Sequence, residues 1–448
     1  MQKSGFWVLP AAAFVLLAAA FHNGYPLVYS DTGTYIASGF EGKVPMDRPI
    51  AYGLFLRHAS LAASLWLPVF LQALLTAWLL CRLFGPSLGE KRSAGAYFFL
   101  LVALCALTAL PWYAGQLMPD IFTAAQLMIV ALVLTAQDLR RWEWVLLGFV
   151  FVFCCLTHFS NLFIGLLTVA GTILPQVRKN LPHWRRRALV LTLWSASAFV
   201  AMPTLNWALE GSFSLGKGSS AFLIGRFIDS GMLKMYLDDH CTEHSYRLCA
   251  YKDSLPDTSR KFHWDANSPL YKAGGWGAPA AEAEYRAIVR GTLSSPKYLG
   301  LHFWESLLST PSQLMQNAIG SGLDYGWYRS PASPPYQSVQ RFFPHEFNEY
   351  FHSRQCGNLW KQNLRFEFFN EINFWVQVAT LLAALWLLAV GGRAAPLWWV
   401  LVLGVVANAF VTSSLAVICD RFSPRVTWLL TAWVLAQWIG ARWPRRET

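Results

Sequence analysis

Asp120, His158, Arg421 and Arg425 are ionisable side chains set at the ends of long apolar runs, and Asp31 and Arg48 lie in the loop between the first two such runs. Asp31 stands in Tyr29-Ser30-Asp31-Thr32 and Arg48 in Asp47-Arg48-Pro49. Asp120 follows Met118-Pro119, and His158 lies in Leu156-Thr157-His158-Phe159-Ser160-Asn161. Arg421 and Arg425 share Cys419-Asp420-Arg421-Phe422-Ser423-Pro424-Arg425. A carboxylate so placed can take a proton from a hydroxyl or ligate a metal ion. A guanidinium stays charged and donates paired hydrogen bonds, which suits a phosphate. Each residue also has a plainer use. Ser30 or Asp31 can cap a short helix, and Asp120 can do the same after Pro119. His158 can be a hydrogen-bonded packing residue, and Asp420 and Arg421 can form a local ion pair.

Bringing these segments to one place requires a scaffold. Of 448 residues, 55% are hydrophobic and 14% charged, against about 25% charged in a soluble globular domain. The chain reads as an all-α polytopic membrane protein with about ten transmembrane helices. They lie roughly at 6–22, 62–84, 94–112, 119–137, 143–158, 160–176, 187–209, 373–391, 396–416 and 424–441. Trp142, Trp144, Trp184, Trp194, Trp398, Trp399 and Trp443 sit near the ends of these runs, as an interfacial belt does. A cytoplasmic N-terminus places Arg82, Lys91, Arg92, Arg140, Arg141, Arg178, Lys179, Arg185, Arg186, Arg187, Arg393, Arg442, Arg445 and Arg446 inside, with the C-terminus. That agrees with the positive-inside rule. The six ionisable residues above then share the opposite face, at the hydrocarbon edge, where such groups are usually functional. The net charge of +11 is accounted for by orientation and anionic lipid, with no nucleic acid. Lys3, an apolar run and Ala18-Ala19-Ala20 also match a signal peptide, whose removal would leave every later loop on its side.

Three parts follow. Residues 1–209 form a seven-span module with a long first outside loop (23–61), residues 210–372 an extracytoplasmic insert, and residues 373–448 three more spans. Helical patterns at 219–238, 280–292 and 297–319, punctuated by Gly and Pro, predict a mostly helical cap resting on the outer membrane face. Cys241 and Cys249 share this insert, and their short spacing suits a disulfide-closed loop. Cys356 is then left over, and no spacing suggests zinc. Trp276 and Tyr325-Gly326-Trp327-Tyr328-Arg329 can stack on sugars or anchor in headgroups. The run Gly211–Ser220, with Lys217, can wrap an anion or serve as a hinge.

An Asp in a long outside loop after the first span, a Pro-containing second element, and an Asp opening a later span resemble the GT-C superfamily of membrane glycosyltransferases. Asp420-Arg421-Phe422 before the last span resembles its (Asp/Glu)-Arg-(Tyr/Phe) cluster. The resemblance covers the first seven spans and the final pair; the insert lies outside it. It implies transfer of a sugar from a polyprenyl-phosphate donor to a glycan, lipid or protein acceptor on the extracytoplasmic face, with inversion. By resemblance Asp31 is the base or a metal ligand, Asp120 and His158 position acceptor or sugar, and Arg48, Arg421 and Arg425 hold the donor phosphate. The first loop carries no Asp-x-Asp, and Asp238-Asp239 lies in the insert, so a divalent metal (Mg or Mn) is compatible but not required. Two other readings stand beside this one. One is an O-antigen ligase or polymerase, whose decisive residues would sit in the large loop. The other is a transporter or lipid flippase, although ionisable residues are few in span centres. The expected location is a bacterial inner membrane, with the large loop periplasmic and membrane lipids as neighbours.

Overall fold

The computed structural model describes residues 7–88, 94–357, 363–390 and 395–442. Lys3, Lys91, Arg92, Arg393, Trp443, Arg445 and Arg446, invoked above for orientation, lie outside the described residues. Among those described, all regular structure is helical, apart from one isolated bridge between Leu27 and Gln116.

The first half runs α1 (Val8–Leu16), α2 (Ala18–Asn23), α3 (Thr32–Glu41), α4 (Ala51–Ala59), α5 (Trp66–Phe84), α6 (Ala94–Leu107), α7 (Leu110–Ala114), α8 (Asp120–Thr135), α9 (Arg141–Thr157), α10 (Phe159–Gly171), α11 (Pro175–Arg178) and α12 (Trp184–Glu210). The insert contributes α13 (Ser219–Asp229), α14 (Met232–His240), α15 (Ser259–Trp264), α16 (Pro269–Lys272), α17 (Pro279–Ser294), α18 (Pro296–Met315), α19 (Pro334–Phe342) and α20 (Phe347–His352). Then come α21 (Glu367–Ala389), α22 (Ala395–Leu415) and α23 (Pro424–Arg442). The pattern at 219–238 is two helices, parted at Gly231 with φ 72°, a backbone that glycine adopts without steric cost.

Each of the ten apolar stretches falls on helix, but not each is long enough to cross a bilayer alone. Among the described residues, four helices have the length and apolarity: Trp66–Leu88, Trp184–Glu210, Glu367–Ala389 and Pro396–Leu415. Ala94–Leu107, Asp120–Thr135 and Phe159–Gly171 are apolar but shorter. The 13 residues of α10 rise about 20 Å at 1.5 Å per residue, short of a hydrocarbon core of about 30 Å. The first stretch is interrupted at Leu17, between α1 and α2.

α8 is the axis of the molecule. Every residue from Asp120 to Leu134 is buried, as expected of a helix that is hydrophobic all round. One core surrounds it, drawing on α1, α5, α6, α9, α10, α22 and α23. The insert divides between two cores. Ala221, Phe227, Leu233, Phe262, Tyr285 and Tyr298 belong to a smaller core of its own, beside a Cys241–Cys249 disulfide. Ile319, Leu323, Tyr328, Val339, Phe343 and Tyr350 belong to the main one. This second stretch is woven into the loop 23–61. The Gln355 amide donates to Val28 O and Leu323 O at 2.9 and 3.0 Å and accepts from Val28 N at 2.9 Å, while Gln355 N donates to the Asn23 side chain at 2.9 Å.

Candidate active site

Asp31 lies just before α3 and Arg48 just before α4, so the crossing of these two short helices sets their separation. That crossing is as close as glycine permits: a Cβ on Gly39 would lie 2.0 Å from Gly53 O, and one on Gly53 would lie 2.4 Å from Ser38 Oγ. The third wall is α19, whose Pro334 carbonyl lies against Gly33. Asp120 opens α8, His158 joins α9 to α10, and Arg421 and Arg425 flank the start of α23.

All six residues meet at one end of the bundle. Arg48 Nη1 and Arg421 Nη1 each lie 3.1 Å from Asp31 Oδ2. Arg421 bridges onward, with Nη2 donating to Asp120 Oδ2 at 2.8 Å and Nε reaching both Asp120 oxygens at 3.2 Å. Arg425 Nη1 donates to Asp120 Oδ1 at 3.2 Å, and its Nε and Nη2 donate to Asn408 Oδ1 at 3.1 and 2.8 Å. Asp47 pairs with the far side of Arg48. His158 Nδ1 is 2.8 Å from Ser160 Oγ, which is 3.5 Å from Arg425 Nη2. Aromatic faces back all three guanidiniums, with Tyr29 4.6 Å from Arg421, Tyr35 5.2 Å from Arg48 and Phe422 5.0 Å from Arg425.

The helix-cap readings of both carboxylates fail on geometry. Asp31 occupies the N-cap position of α3 without a side-chain cap bond, and the cap before α8 is Pro119. Both side chains turn to the arginines instead. His158 does cap α10, accepting from Ser160 N. The Arg421 side chain turns to Asp31 and Asp120, while Asp420 accepts from Ala318 N.

Exposure divides the cluster into two layers. The side chains of Asp31, Arg48 and Arg421 are 22%, 11% and 14% exposed, while Asp120 and Arg425 are 1% and 0%. A ligand from outside therefore meets Asp31 and two guanidiniums, with Asp120 and Arg425 as a buried ionic floor. Burial opposes ionisation of Asp31, but the charges of Arg48 and Arg421 outweigh it and hold its carboxyl below the usual range. Burial likewise opposes the charge on Arg421, and Asp120 and Asp31 overcome it, so its pKa stands well above normal. The Arg421 guanidinium occupies the space between the two carboxylates where a cation would bridge them. Among the described residues, no group of three or more His, Cys, Asp or Glu could hold a metal ion. The donor set as arranged does not fit a resident metal.

Asn408, Asp47 and Ser160 join this network without having been singled out from the sequence. Asn408 carried a signal, a lone amide inside an apolar run, where polar groups are expensive and seldom idle. Of the residues proposed to bind sugar or anion in the insert, Trp276 packs against Phe222 and His263, and Tyr328 is fully buried. Tyr325 and Trp327 are exposed. Lys217 pairs with Glu210 and donates to Val44 O at 3.3 Å, which fastens the first loop to the start of the insert.

Compared with protein-family models, curated proteins and solved structures, the chain has no match.

Proposed function

We propose that this chain is an integral membrane glycosyltransferase of the GT-C type. It would move a sugar from a polyprenyl-phosphate donor to a glycan, lipid or protein acceptor on the extracytoplasmic face, in a bacterial inner membrane. The observation that carries the reading is the partly open trio of Asp31, Arg48 and Arg421 at the end of an apolar helical bundle. A lipid-linked donor keeps its tail in the hydrocarbon and its phosphate at headgroup depth, so an enzyme acting on it needs a base and cations at that depth. Ten membrane segments with cytoplasmic termini would set the trio there, with the shorter helices held by their neighbours.

In this mechanism the donor phosphate approaches Arg48 and Arg421 and competes with Asp31 for their N–H groups. Loss of these partners makes the Asp31 carboxylate more basic. The acceptor oxygen attacks the anomeric carbon from the side opposite the phosphate, and Asp31 takes the hydroxyl proton. The bond from the anomeric carbon to the phosphate oxygen breaks, its electron pair leaves with the phosphate, and the two guanidiniums stabilise that charge. The configuration inverts. Asp120, with Arg425 behind it, holds Arg421 at the right height, and His158 aligns Ser160 within the same network.

The test is purified protein beside Asp31→Asn, assayed for transfer or hydrolysis with a panel of radiolabelled undecaprenyl-phosphate sugars. The expected result is turnover in the parent and none in the folded variant. Equal turnover in both would remove Asp31 from the chemistry and overturn this mechanism.

A further inference from the structure

The helix α18 belongs to the insert, for which the sequence predicts a mostly helical cap resting on the membrane face, and one side of it is apolar and exposed. Its outward residues Leu299, Phe303, Trp304, Leu307, Leu308 and Met315 are between 44% and 75% exposed and follow one helical stripe. His302 and Ser309 turn the other way, while Lys297 at the start of the helix and Ser312 near its end are exposed. Lys297 pairs with Asp239, His302 lies edge-on to Phe227, and Ser309 accepts from Arg226 at 3.0 Å. Exposed apolar side chains thus line one side of α18 from Leu299 to Met315, and such stripes mark interaction or membrane surfaces.

What covers that face follows from the helix behind it. α18 packs lengthwise on α22, with Ser306 O accepting from Ser413 Oγ and Phe303, at the edge of the stripe, touching Phe410 while still 57% exposed. Pro396–Leu415 is one of the four helices able to cross a bilayer, and 72% of it is buried by its neighbours. A helix that shields a membrane span along its length shares its depth. We infer that α18 lies in the bilayer against α22 and presents its apolar stripe to lipid acyl chains. The insert is therefore anchored in the membrane as well as resting on it. The end of α18 also grips the loop that carries Arg421, since Gln313 Nε2 donates to Cys419 O at 2.9 Å and Ser423 Oγ donates to Gln313 O at 2.6 Å.

Matched residue pairs allow a test without substitutions. Met315 and Trp304 on α18 are 75% and 55% exposed, and Met235 and Trp264 elsewhere in the insert are 45% and 55% exposed. The native protein in phospholipid nanodiscs is subjected to hydroxyl-radical footprinting, and in parallel to a phospholipid with a diazirine in its acyl chain. Because the bilayer core holds no water, Met315 and Trp304 should oxidise at least about fivefold more slowly than Met235 and Trp264. The peptide 298–315 should carry acyl-chain adducts, as the α21 peptide does. Oxidation at the rate of Met235 and Trp264 overturns the inference. Protection without adducts overturns it too, by placing another protein surface, such as a second copy of the chain, on the stripe.

Discussion

Arg425 meets no solvent, and its guanidinium is divided between Asp120 and Asn408. Removing one member of such a buried pair leaves a charge with no replacement for its lost partner. Arg425→Met should therefore cost about 3–5 kcal/mol, and Arg425→Lys should not rescue it, because an ammonium cannot span both partners as a fork does. Thermal unfolding in nanodiscs would measure this; an unchanged midpoint in both variants would deny the floor its structural role. The outer layer behaves differently with pH. Native Asp31 has a lower pKa than the unfolded value of 3.8, so its ionic contribution to stability is complete above that value. It is lost as the pH falls through the lower native value. Unfolding midpoints should therefore show no Asp31-dependent change between about pH 5 and 8, and the parent should lose its advantage over Asp31→Asn only below about pH 4. Asp31, Asp120 and Arg421 were legible in the sequence because ionisable groups at apolar boundaries are conspicuous. Asn408 was not, since one amide in an apolar helix reveals no partner until the chain folds.

At the scale of elements, the site depends on how closely α3 can approach α4. A methyl group on Gly39 would overlap the Gly53 carbonyl, and backbone cannot yield as a long side chain can. Gly39→Ala should force the helices apart, cost about 1–3 kcal/mol and separate Asp31 from Arg48. The expected readout is a fall in transfer rate larger than the fall in bound donor, with Gly42→Ala as a strained but uncrowded comparison. Equal effects of the two substitutions would mean that this crossing does not set the site. None of this close approach was visible in the sequence, because nothing in residues 32–59 says which glycine meets which. Helix positions were legible wherever apolar runs were long. Their exact ends were not, because Leu17 and the left-handed pair Leu61 and Ala62, with φ 54° and 53°, interrupt the chain without Pro or Gly.

Over the whole molecule, the insert has two loyalties. Its first part has a separate core next to the Cys241–Cys249 bridge, and closing so short a loop restrains the unfolded chain by about 2–3 kcal/mol. Cys241→Ser should make residues 221–298 easier to cleave by protease while leaving the Asp31–Arg421 network and transfer intact. Loss of transfer in parallel would mean that the two cores fold as one unit. In the second part, Pro, Gly and polar residues recur between 319 and 366, a composition that by itself points to no core. Buried Tyr328 and Tyr350, however, each donate a hydroxyl to a backbone carbonyl, which satisfies polar groups inside the main core. The salt bridge from Arg421 to Asp31 joins residues 390 positions apart. A ribosome adding 5–20 residues per second needs roughly 20–80 s to cover that distance. For that interval Asp31 has Arg48, 17 positions on, but lacks the Arg421 that later bridges it to Asp120. A premature stop between Leu415 and Arg421 would thus release a chain with all but its last helix made and its ionic centre still open.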